Sequence, residues 1–299
     1  MLEPSATKPG SRRDRSALAV QGFLPLLFAG MCWHWARWGI AFLSAYWVND
    51  ITDSPRMVQL TGTTMWAPLL LGGAIGGVVS DRFDRLQTVR WQLAVLVPVV
   101  VIVGGLELKN SLQLWVIYPF LLLAGVGWVG DMTSRRALVF ELVGNQRLDN
   151  AMAYESFALA TGVAVGNLIG GSVAQSFGVG EGFLVVAGLL IVGLITLNWV
   201  PRTSGTQAEQ HRSRPSTVDE LRAGLSLFRT NKGLRSILGI TFIANFFLFA
   251  YFPAVQRIGD RVGASPSQIG LIAAMTGFGM MVGSLTIGLW EPKRRGLAY

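Results

Sequence analysis

The run Trp33-His34-Trp35-Ala36-Arg37-Trp38 places three indoles, an imidazole and a guanidinium inside a long apolar stretch. Aromatic faces attract cations as well as apolar rings, so this run suits an amphipathic ligand. Arg37 is the deepest charge of the stretch, and a charge in lipid is costly unless it is paired or hydrated. The alternative is an aromatic packing belt in which Arg37 pairs with a structural carboxylate. His34 belongs to the residue type that titrates near physiological pH, although a lone histidine here also reads as a helix-packing residue. Two acids, Asp131 and Glu155, lie in apolar stretches downstream. A carboxylate withdrawn from water can bind and release one proton per cycle, and Glu155 is the preferred proton carrier. For Asp131 a structural ion pair with Arg135 or Arg136 is the favoured account. Trp38, Arg37, His34, Asp131 and Glu155 are thus the candidate proton and substrate residues.

Other chemistry finds little support. Cys32 is the only cysteine, which excludes an intrachain disulfide, and His34 and His211 belong to no HExxH or CxxC pattern. No nucleophile stands with a base, so neither an enzyme nor a metal site is expected.

The elements that must carry these residues are legible in the composition. Of 299 residues 51% are hydrophobic and 14% charged, whereas a soluble domain is about 25% charged. The mean hydropathy is +0.46. The apolar residues form long blocks, as about 30 Å of hydrocarbon demands of a spanning helix. The formal charge of +8 comes from Lys and Arg clusters between those blocks, which points to membrane topology and away from nucleic acid. A basic N-terminus before an apolar stretch superficially looks like a signal peptide. The block is too long and lacks a small-residue cleavage site, so it reads as a retained first helix.

Windows of about 19 residues give spans near 20–48, 57–80, 89–106, 112–134, 151–176, 182–200, 235–256 and 266–290. The organisation expected is a cytoplasmic tail (1–19), a six-helix transmembrane half (20–200), a linker (201–234) and a partial second half (235–299). Basic residues concentrate in the tail (Lys8, Arg12, Arg13, Arg15) and in alternate links: Arg82, Arg85 and Arg90, then Arg135, Arg136 and Arg147, then the linker. The remaining links are poorer, so both termini are expected in the cytoplasm. Within the linker, Ser216 followed by Asp219 and Glu220 reads as a helix start. Leu221, Leu225 and Phe228 then share a face, suiting a helix on the membrane surface or one packed on protein.

Gly77-Val78-Val79-Ser80-Asp81-Arg82-Phe83-Asp84-Arg85 resembles the loop signature G-x-x-x-D-R-x-G-R of the major facilitator superfamily. Gly77 permits close helix approach, and Asp81, Arg82 and Arg85 form a charged latch at helix ends, although such charges could serve topology alone. Asp84 replaces the usual glycine, which admits positive φ more readily, so an altered turn is expected. Gly162-Val163-Ala164-Val165-Gly166-Asn167-Leu168-Ile169-Gly170-Gly171 looks like the exporters' G-x-x-x-G-P-x-x-G-G pattern. Gly162, Gly166 and Gly170, at i, i+4 spacing, make a strip for helix packing, Gly171 completes the motif, and Asn167 in place of proline weakens the expected kink. The segments Arg135 to Val143, Leu148 to Ala151 and Ala223 to Phe228 are similar to drug and siderophore exporters of the transmembrane secretion effector type. The similarity runs from about Phe23 to Leu289.

The resemblance implies an all-α major facilitator fold: twelve helices in two halves that rock about a central site. This chain carries the first half plus two helices, so it is expected to be truncated after the eighth. It further implies a multi-pass monomer of the inner (plasma) membrane exporting a small amphipathic drug, macrolide or siderophore. No cofactor is implied, the proton gradient being the energy source. The alternative is a non-transporting scaffold or partner subunit made of the same helices.

Overall fold

The computed structural model of the protein describes residues 16–80, 84–202, 226 and 229–290. Among them are eight long helices: α1 (Phe23–Thr52), α2 (Pro55–Ser80), α3 (Arg85–Leu108), α4 (Leu114–Val143), α5 (Leu148–Ser176), α6 (Val179–Thr196), α7 (Lys232–Arg261) and α8 (Pro266–Trp290). Each expected span coincides with one of them, and no strand occurs among the described residues. Helices satisfy every backbone group within the segment, which lipid requires. The same setting tolerates Pro68, Pro98, Pro119 and Pro253 inside helices.

The largest difference from expectation is in α4, which runs on to Val143 instead of ending near 134. Arg135 and Arg136 are therefore helical, not part of a link, and Arg135 is buried. An acid one turn earlier makes this possible: Asp131 neutralises Arg135 within the helix. At Asp84 the turn differs from a glycine turn. Asp84 takes φ −55°, not the positive φ of a glycine turn, and its carboxylate accepts the Gln87 amide at 2.8 Å. The residue in the glycine position is thus the N-cap of α3. The expected amphipathic helix after Ser216 lies outside the described residues.

Most of α1 is buried, because it packs on α2, α4, α5, α6 and α7. Around it α3 packs on α4 and α6, α2 on α4, and α8 on α5. Outward faces remain apolar, as at Trp91, Val95, Val101 and Ile102 of α3. Among the described residues, α3, α4, α6 and α5 with the 3-10 turn before it are long and apolar enough to cross a membrane by themselves. In α1 the Trp33–Trp38 run dilutes the hydropathy, and its polar groups are enclosed by protein and shielded from lipid.

Candidate functional site

Glycines set the geometry of the site. A Cβ added at Gly162 would lie 2.5 Å from the His34 Cβ, and one at Gly166 would lie 2.6 Å from both the Trp35 carbonyl oxygen and the Trp38 Cβ. At Gly170 it would meet the Phe42 ring at 2.9 Å. Three glycines of α5 therefore press that helix against the segment of α1 that carries His34, Arg37 and Trp38. Gly171 lies against Gly270 of α8. Asn167 bonds within α5, its Nδ2 donating to the Val163 carbonyl at 2.6 Å, and the helix continues unbroken.

Arg37 is 1% exposed, and among the described residues its nitrogens have no hydrogen-bond partner. Its neighbours are indoles: the guanidinium carbon lies 4.1 Å from the Trp128 ring centre, 5.1 Å from Trp38 and 5.6 Å from Trp66. The rings contact one another, Trp66 and Trp128 at 4.4 Å and Trp38 and Trp66 at 5.6 Å between centres. Phe252 of α7 closes the cluster, 4.3 Å from Trp38. The belt expected around Arg37 is present, and no carboxylate pairs with it among the described residues. Trp66 and Trp128 were not among the sequence candidates. The signal was there, since tryptophans usually collect at the membrane interfaces and these two stand well inside their helices.

Asp131 stands one turn after Trp128 in α4, and Glu155 lines the same cavity from α5. Asp131 accepts from the Arg135 Nε at 2.8 Å and faces its Nη2 at 2.7 Å. Arg135 also donates to the Leu26 carbonyl of α1 at 3.1 Å, with Gly30 leaving room for its head. Glu155 of α5 is half-buried, and its Oε1 is buried without a partner among the described residues. His34, Trp128, Asp131, Arg135, Arg136 and Glu155 line one cavity of about 130 Å³. Three helices thus bring together His34, Asp131 and Glu155, while Arg37 and Trp38 sit behind the Trp128 wall. Arg136 and Arg135 are the cations whose charge reaches Glu155, and Asp131 is the acid whose charge reaches Arg37.

Of the loop motif, Arg85 does not line this cavity. Gly77 is helical in α2, Asp81 and Arg82 fall outside the described residues, and Arg85 pairs with Glu141 of α4 and donates to the Ala137 carbonyl at 3.4 Å. At the opposite end of α1, Arg257 of α7 bonds Asn49 at 3.1 Å and pairs with Asp53.

The family model described as Major Facilitator Superfamily matches residues 26–297. The chain belongs to this superfamily. It is accordingly a multi-pass membrane protein, and its all-α architecture is of this family's kind. The enterobactin exporter EntS of Salmonella choleraesuis is 27% identical over 81% of this chain and 57% of its own length. Macrolide efflux protein A of Streptococcus pyogenes is 20% identical over 82% and 60%. The uncharacterized MFS-type transporter YfiS of Bacillus subtilis is 21% identical over 79% and 56%. The chain therefore spans somewhat over half the length of these relatives. Among solved structures, a bacterial homolog of the human lysosomal transporter Spinster, inward-facing and unoccupied, superposes with a TM-score of 0.67 at 16% identity. That match covers 95% of this chain and 65% of the other.

Proposed function

We propose that this superfamily member is a secondary active transporter that exports a small amphipathic compound across the inner (plasma) membrane by alternating access. The proton gradient is its energy source and Glu155 its proton carrier. One observation carries the reading: a partly open cavity between α1, α4 and α5 lined by an acid whose Oε1 has no partner, beside cations and an aromatic wall. A carboxylate so placed exchanges a proton readily when its surroundings change during rocking. The names of the exporters among the relatives support the direction and the class, a drug, macrolide or siderophore. The protein acts as a monomer in the lipid bilayer with both termini cytoplasmic, as the alternation of basic links supports, and takes neither cofactor nor nucleic acid.

The test is efflux from vesicles carrying the protein under an imposed pH gradient. Glu155→Gln is expected to abolish pH-driven efflux while the variant still reaches the membrane. Undiminished efflux would remove the proton role. Absence of gradient-driven movement of any macrolide, siderophore or dye by the unaltered protein would favour the scaffold or partner-subunit reading.

A further inference from the structure

The interior charges form an alternating row, Arg37, Asp131, Arg135 and Glu155, in which only the middle pair is made. Arg37 at one end has no hydrogen-bond partner among the described residues, and the Glu155 Oε1 at the other end has none. Asp131 acts electrostatically on both arginines, and Arg135 on both acids. Such a row has two registers. In one, seen here, Asp131 belongs to Arg135 and Arg37 rests on aromatic faces, the arrangement that suits a neutral Glu155. With Glu155 ionised, Glu155 can take Arg135 and release Asp131 to Arg37, so that all four charges are paired.

The second register empties the indole cage. Three tryptophan rings within reach of one guanidinium are a cation site by their quadrupoles, and an aromatic cage is the recognised way to hold an organic ammonium. In the structure a side chain of the protein itself occupies that place. Building on the transport reading, we propose that the Trp38, Trp66 and Trp128 cage binds an organic monocation, and that Arg37 is a built-in competitor withdrawn when Glu155 gives up its proton. The exchange conserves charge. A proton on Glu155 with Arg37 in the cage, and a bound monocation with Glu155 ionised, leave the interior with the same net charge, giving one proton for one cation. Cation and proton then exclude each other, as antiport requires. The groups that face Glu155 and must be counted with it are Arg135, Arg136 and Asp131 of α4 and His34 of α1.

The experiment is calorimetric titration of the full chain in lipid nanodiscs with benzyltrimethylammonium, and with benzenesulfonate as the anionic control. Affinity for the ammonium is expected to rise at least tenfold from about pH 6 to about pH 9. Titrations at the lower pH in two buffers of different ionisation enthalpy are expected to show close to one proton released per cation, and at the higher pH close to none. Arg37→Met removes the competitor, so it should bind the ammonium more tightly than the unaltered protein at the lower pH and with little pH dependence. Glu155→Gln should bind it weakly throughout. Weaker binding by a folded Arg37→Met variant, pH-independent binding by the unaltered protein, or preference for the sulfonate would each overturn the proposal. The unaltered protein alone decides it if a variant does not fold. Proton-linked binding without transport in vesicles would sink the function proposed above and leave this site standing.

Discussion

Asp131 and Arg135 are each 3% exposed at the side chain and hold each other one turn apart. Removing one member of a buried pair leaves the other without compensation, at a cost of about 3–5 kcal/mol, while replacing both with apolar groups is often neutral. Asp131→Asn is therefore expected to lower the thermal midpoint of the purified protein sharply, and Asp131→Leu combined with Arg135→Met to recover most of the loss. A double variant as unstable as the single one would show that the bond from Arg135 to Leu26, not the ion pair, anchors α4 on α1. At this scale the sequence makes the charges conspicuous because lipid makes them rare. It does not disclose their partners. Asp131 stands one turn from Arg135 on its own helix and far from Arg37 along the chain, so local geometry claims the acid. Arg37 is left to three rings, and the approach of two of them, Trp66 and Trp128, only the packing of three helices reveals.

Helices meet where side chains are smallest, and α5 shows this most directly. A Cβ at Gly166 would fall 2.6 Å from the Trp35 carbonyl oxygen, whereas one at Gly188 of α6 would meet nothing within 4 Å. Gly166→Leu is expected to cost about 1–3 kcal/mol through overpacking and to disturb the seat of His34 and Trp38. Gly188→Ala should be neutral or stabilising by up to about 1 kcal/mol, from helix propensity alone. Denaturation of the two variants in the same detergent checks the pair, and equal losses would mean that the α1–α5 contact yields easily. The glycine strip and all eight spans were readable because apolar length and small-residue spacing are local properties. Helix ends were less so. The extension of α4 past residue 134 depends on the burial of Arg135 against α1, and the cap at Asp84 on a carboxylate folding back to Gln87.

For the molecule as a whole, the cavity lies toward the N-terminal half of α1, and apolar contacts gather toward its other end. There Phe42, Val255, Ile269 and Ala273 form a small apolar seal between α1, α7 and α8. Above it Arg257 ties α7 to Asn49 and Asp53 at the end of α1, with Asp260 at 3.4 Å. Asp53 holds φ 48°, a left-handed conformation in which its amide still bonds the Asn49 carbonyl. Its side chain is 86% exposed, and an ion pair so wet contributes only about 0–1 kcal/mol. On the transport reading proposed above, that weakness suits a contact that opens in every cycle, since alternating access would part this end of the bundle once the cavity end had closed. Tying the latch permanently should then stop transport without harming the fold. In a variant carrying Asp53→Cys and Arg257→Cys, a reducible bifunctional thiol reagent is expected to halt efflux from vesicles, and reduction to restore it. Cys32, the other thiol, is buried and does not compete. Efflux that continues through complete cross-linking would show that α1 and α7 stay together throughout the cycle, and that the exit lies elsewhere.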